Sequence, residues 1–125
     1  MGGRGSFIDV NAGNFTFRDG GQTFLTKQEI AGVKIIEKIN GDSVSAPMYS
    51  HTVNNIYGII QNGKLKYLTF YDENHQQIRS IDLQHPHEGL IPHVHISLNH
   101  RGPADAPTNE EIDLIARIKK EGHYK

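Results

Sequence analysis

IYGIIQNGKLKYLTFYDENHQQIRSIDL, residues 56–83, is the stretch whose reading decides the fold. Two runs rich in β-branched and aromatic residues flank Asn62-Gly63. That dipeptide suits a type I′ turn, because both central residues of such a turn take positive φ. IYGII and KLKYLTFY therefore pair as a hairpin. Asp72-Glu73-Asn74-His75 turns the chain again into QQIRSIDL, and such polar clusters between apolar runs mark turns. A loop over 84–92 leads to HVHISL, residues 93–98, a further strand. The pattern is an antiparallel meander of about four or more strands.

Towards the C-terminus, Thr108 and Glu111 have the spacing of a capping box, in which side chain and backbone of the two residues satisfy each other. Ile112, Leu114, Ile115 and Ile118 put an apolar stripe on one face of the helix that follows, and Gly122 ends it. Towards the N-terminus, Phe7 to Val10 and Phe15 to Phe17 read as short strands, punctuated by Gly13 and by Asp19-Gly20-Gly21. Thr26 and Glu29 again have capping-box spacing and predict a short helix from about Lys27, weakened by Gly32. The following VKIIEKI, 33–39, has enough β-branched character to be a strand turning at Asn40-Gly41. Residues 27–39 are thus open between helix and strand. The expected class is α+β: an antiparallel β-meander sheet with a C-terminal helix packed on one face. Residues 1–6, MGGRGS, read as a flexible glycine-rich arm and 7–125 as a single α+β domain.

With 125 residues, 36% of them hydrophobic and 22% charged, the chain has the composition of an ordinary globular protein. No apolar run is long enough to span a bilayer, and no secretory h-region opens the sequence. A cytoplasmic location and no membrane partner are expected. There is no cysteine, so disulfides, thiolate nucleophiles and Cys-ligated zinc are excluded. A net charge of −1 gives no case for non-specific DNA binding.

Histidine is the outlier: eight in total, five of them between 85 and 100. Alternation along HVHISL directs Val94, Ile96 and Leu98 to the core, and His93 and His95 to the other face. In the preceding strand Ile81 and Leu83 share the core side, which places Asp82 with the histidines. The loop adds His85 and His87 around Pro86, with His100 beyond. Three readings fit this cluster. The first is a zinc-class metal held by His85, His87, His93, His95 and Asp82, with His100 as a further ligand, since neutral imidazole suits zinc, copper, nickel and iron. The second is acid–base chemistry by a histidine pair on an RNA hydroxyl, with Arg79, Arg101 or Lys66 stabilising developing charge. The third is a solvated, histidine-rich sheet face. His75 and His123 are assigned to the surface.

The start MGGRGS, the segment APMYSHTVNNIYGIIQNGKLKYLTFYDENHQQ and the block IDLQHPHEGLIPHVHISLNH resemble small proteins of phages, prophages and mobile elements of Gram-positive bacteria. Related segments look like the toxin-like C-terminal tails of phage head-morphogenesis proteins. Some of those are similar to barnase-, EndoU- and RelE-like ribonucleases; other phage proteins of this size are anti-CRISPR inhibitors. The resemblance implies a bacterial-cytoplasm setting and a host-protein partner. With the histidine cluster it leads to an expected function: a phage-encoded, zinc-binding protein that binds and inhibits a host component such as a defence nuclease. The alternative is a small ribonuclease-like toxin with RNA as its partner, using histidine acid–base chemistry or a zinc-activated water.

Overall fold

The computed structural model describes residues 7–9, 14–39, 43–83, 93–96 and 106–125. Among them are eight strands and one helix: β1 (Phe7–Asp9), β2 (Asn14–Asp19), β3 (Gln22–Ile30), β4 (Val33–Lys38), β5 (Ile56–Gln61), β6 (Lys64–Tyr71), β7 (Gln77–Asp82), β8 (His93–Ile96) and α1 (Asn109–Gly122). They form one sheet in which spatial order follows chain order. Every neighbouring pair is antiparallel except β4 and β5, which run parallel. The expected α+β architecture is present, with more strands than the meander alone required.

Three hairpins close on successive residues with positive φ: Gly20-Gly21, Ala31-Gly32 and Asn62-Gly63. This is the type I′ arrangement, whose twist matches that of the paired strands. Asn62-Gly63 was legible because both residues tolerate positive φ. Ala31 at φ 53° was not, since a Cβ normally disfavours that region. The helix expected from about Lys27 is corrected here: those residues belong to β3, whose Gln22–Leu25 half pairs with β2 and whose later half pairs with β4. A β-bulge between Thr26 and Gln28 shifts the register, so burial in this strand departs from strict alternation. The Thr26 hydroxyl is buried without a hydrogen-bond partner among the described residues. VKIIEKI resolves as the strand β4.

The sheet is apolar on both faces. On one, Ile30, Val33, Ile35, Ile60, Leu65, Leu68, Ile81 and Val94 pack with Ile115 and Ile118 of α1. Gly58 belongs to this layer because a Cβ there would lie 2.9 Å from Ile35 Cδ1, a distance that close packing does not allow. The capping box of α1 is complete: Thr108 Oγ1 accepts from Glu111 N at 3.1 Å, and Glu111 Oε1 accepts from Thr108 N at 2.9 Å. Glu111 also receives both Nε and Nη2 of Arg79 at 2.8 Å, tying the start of the helix to β7. At the other end His123 takes a left-handed C-cap conformation and Tyr124 N donates to Lys119 O. Lys125 then pairs with Gly63 and Leu65 at the β5–β6 turn.

On the opposite face Phe17, Phe24, Ile36, Tyr57, Ile59 and Tyr71 form a second cluster, joined by Val44, Ala46 and Tyr67. What covers it is not a helix but the connection between the parallel strands. A parallel pair requires a crossover, because the chain must return to its starting end. Here the crossover includes residues 43–55, an irregular segment with a single bridge at Tyr49 and a turn at Val53-Asn54. It lies across the aromatic face.

Candidate functional site

The crossover is held to the sheet by polar side chains that reach up to its backbone. Tyr71 and Gln77 both donate to the Pro47 carbonyl, and Tyr67 Oη donates to Val44 O at 3.3 Å. Gln22 and Ser45 bond reciprocally: Ser45 N donates to Gln22 Oε1 at 2.9 Å, while Gln22 Nε2 donates to Ser45 O at 3.2 Å. Met48 N donates to Asp19 Oδ1 at 3.3 Å. Further along, Ser50 N donates to His75 O and Gln77 N to Met48 O, so this part of the crossover runs as a short edge beside residues 75–77. His51 N donates to Tyr57 Oη at 3.1 Å, and the His51 ring stands edge-on to Phe17 with centroids 4.5 Å apart.

Between the crossover and strands β6 and β7 the covering is incomplete. A cleft of about 410 Å³ opens there, lined by Asp19, Gly20 and Gln22 from the β2–β3 hairpin, Ser45, Ala46 and Met48 from the crossover, and Tyr67, Gln77, Ser80 and Asp82 from the sheet. Its size is that of a site for one small ligand or one long side chain. Strand register explains the floor. Tyr67 pairs with Asp82 and Thr69 with Ser80, so all four share the face opposite α1. Thr69 and Ser80 join their hydroxyls at 2.8 Å, and Gln61, Thr69, Gln77, Ser80 and Asp82 are all buried.

Buried polar groups are costly unless partnered, and part of this row serves the fold by anchoring Pro47. Asp82, in the same row, is a carboxylate only 6% exposed that lines the cleft. A second carboxylate, Asp19, also lines it, and among the described residues no lysine or arginine does. Burial raises the Tyr67 phenol above its usual range, and the Asp82 charge raises it further. Tyr71 and Tyr57 are raised for the same leading reason, burial. The hydroxyls on this face therefore remain protonated donors at neutral pH.

Of the residues singled out from sequence, Asp82 lies in this cleft. Ile81 and Val94 are buried on the helix face, as strand alternation required. In the backbone register position 93 is opposite Asp82 and position 95 opposite Ser80, so the β7–β8 hairpin is paired as expected. Arg79 does not join them: it lies on the helix face, engaged with Glu111. His85, His87, His100 and Arg101 fall outside the described residues.

The metal reading is corrected. Among the described residues no group of three or more His, Cys, Asp or Glu side chains could hold a metal ion. Asp82 is set among a phenol, a hydroxyl and an amide. The described histidine side chains are scattered: His51 against Phe17, His75 bonded to Ser50 O in a turn, His123 at the helix C-cap. The expected Zn²⁺, and with it the function of a histidine-site metal protein inhibiting a host component, is withdrawn, as is the zinc-activated water of the ribonuclease alternative.

Asp19, Gln22, Ser45, Tyr67, Gln77 and Ser80 were missed from sequence. The usable signal was alternation in KLKYLTFY and QIRSID, where Tyr67, Thr69, Ser80 and Asp82 interrupt apolar runs on one face. In comparisons with known proteins, no family model, no curated protein and no solved structure matches the chain. Among the described residues no helix is long and apolar enough to cross a membrane.

Proposed function

We propose that the chain is a binding module whose cleft receives a cationic hydrogen-bond donor, a guanidinium or ammonium group. The carrying observation is that a nearly buried carboxylate, Asp82, and a second, Asp19, line one cleft. A carboxylate removed from bulk water binds a cation more strongly than an exposed one, because screening is weaker there. Ser80, Gln77 and the Tyr67 phenol add neutral hydrogen-bonding groups on the floor, while Ala46 and Met48 supply an apolar wall for the methylenes behind the charge.

The test is calorimetric titration with agmatine, an alkyl guanidinium, at low ionic strength and neutral pH. Saturable binding at about 1 mM or tighter is expected. Asp82→Asn, nearly isosteric, should weaken it at least about tenfold, the equivalent of one lost charge-assisted hydrogen bond. Equal affinity in the wild type and Asp82→Asn, or preference for an alkyl carboxylate over agmatine, would contradict the reading.

A further inference from the structure

Independently of the cleft, we infer a second site on the crossover face: Lys34, His51 and His75 together take a tetrahedral oxyanion, a free one or the phosphate group of an ester. Three segments distant in sequence bring these groups together. Lys34 of β4 is opposite Tyr57 of its parallel neighbour β5. Tyr57 belongs to the cluster of the crossover face, so the Lys34 side chain leaves the sheet on that face too. The crossover passes over Tyr57: His51 N donates to Tyr57 Oη at 3.1 Å, and the His51 ring stands against Phe17. His75 is drawn to the same place by Ser50, whose N donates to His75 O at 2.8 Å. The His75 ring then lies with Nδ1 3.0 Å from Ser50 O. A carbonyl only accepts, so Nδ1 carries the hydrogen, and on protonation Nε2 gains the second.

The surroundings leave this group short of negative charge. Burial lowers the His51 pKa, and Lys34 and His75 lower it further, as neighbouring cations do. Of the groups acting on His51, only Asp19 at the end of β2 opposes them, and its effect is the smallest. Its Oδ1 already accepts from Met48 N at 3.3 Å. Glu29 of β3 is opposite Lys34 in the register, but the ion pair between these strands joins Lys27 to Glu37 at 3.3 Å. His51 is exposed and Lys34 half-buried, so an ion from solvent can reach them. An oxyanion offers acceptors on every side to one ammonium and two imidazole N–H groups, and charge-assisted bonds of this kind are the strong ones. An anion beside an imidazole favours its charged form, so binding here takes up a proton.

The test follows the histidine ring resonances of the full chain from about pH 5 to about pH 8, in sodium sulfate and in sodium chloride at equal ionic strength. Sulfate does not titrate in this range. It should raise the His51 midpoint by at least about 0.5 unit, an about threefold preference for the protonated ring. His75 should move with it, and His123, at the helix C-cap, should not. Lys34→Gln should raise the His51 midpoint in chloride, because a repulsion is removed, and should cut the sulfate increment by at least about half. Inorganic phosphate and glycerol phosphate, compared at equal dianion concentration, distinguish the sources. A response to the inorganic ion at least as large assigns the site to a free anion, and a larger response to the ester assigns it to the phosphate group of a bigger ligand. A His51 midpoint equal in the two salts, a shift shared by His123, or a sulfate increment unchanged in Lys34→Gln overturns the inference.

Discussion

The two faces of the sheet are built from the same strands, yet they are covered in different ways. On the helix face α1 brings Ile115 and Ile118 onto a layer of aliphatic side chains, and the principal polar link is the Arg79–Glu111 pair at the start of the helix. On the crossover face the apolar cluster is largely aromatic, the cover is an irregular segment, and the attachment is a series of side-chain hydrogen bonds to its backbone. An aliphatic layer under a helix excludes water and supplies stability. A segment held up by hydrogen-bonding side chains leaves space beneath it, and that space carries the polar chemistry. The proposed cation site thus lies on the face with the weaker seal.

The comparison is broken most severely on the helix face. Leu68→Ala, at a fully buried site, should lower unfolding free energy by about 2–5 kcal/mol in a denaturant titration. Ser80→Ala, on the other face, should cost no more than about 1–3 kcal/mol, through the loss of its partner Thr69. Equal losses at the two sites would mean that the faces do not differ as described.

Next in size is Arg79→Ala, which removes both charge-assisted bonds to Glu111 and should destabilise by about 1–3 kcal/mol. Burial alone would raise the Glu111 carboxyl, but the hydrogen bonds from Arg79 and Thr108 outweigh it and hold the group below its usual range. A depressed acid contributes stability that is present above its usual value of 4.5 and is lost as pH falls through the folded value. In Arg79→Ala that acid-limb loss should shrink. An unchanged profile below pH 4.5 would show that the pair is not the source.

A smaller effect separates the crossover face. Burial lowers the His51 imidazole below its usual 6.5, assisted by Lys34 and His75 and opposed by Asp19. Between the usual and the lowered value the unfolded chain binds the extra proton, so stability declines as pH falls below 6.5. The decline ends once pH is below the folded value. His51→Phe, which can keep the edge contact with Phe17 and does not titrate, should flatten melting temperature across that window. The same slope in both proteins would assign it elsewhere.

The smallest effect is Thr26→Val. Its hydroxyl is buried without a partner among the described residues, so the change should be neutral or stabilising by up to about 1 kcal/mol. A loss of more than that would reveal a hydrogen bond at Thr26.

The legible part of the structure was that governed by short-range rules. Asn62-Gly63 specified its hairpin, the Thr108–Glu111 box its helix start, and alternation around Ile81 and Val94 the side of β7 and β8 that faces the core. What could not be read depended on partners distant in sequence. Thr26 and Glu29 have the local spacing of a helix cap, but pairing with β4 makes their segment a strand. The cleft joins Asp19, Ser45 and Asp82 through a parallel pairing that no local pattern announces. The histidines drew notice by number, whereas the cleft depends on single Tyr, Ser, Gln and Asp residues on alternate strand positions.

The central claim, that the crossover face binds a cation in this cleft, is tested most directly by titrating agmatine into isotope-labelled protein and following backbone amide resonances. The account predicts saturable shifts at Gln22, Ser45, Gln77, Ser80 and Asp82, diminished in Asp82→Asn, with α1 unaffected. Shifts confined to α1 and the helix face, or no saturable shifts at millimolar agmatine, would contradict it.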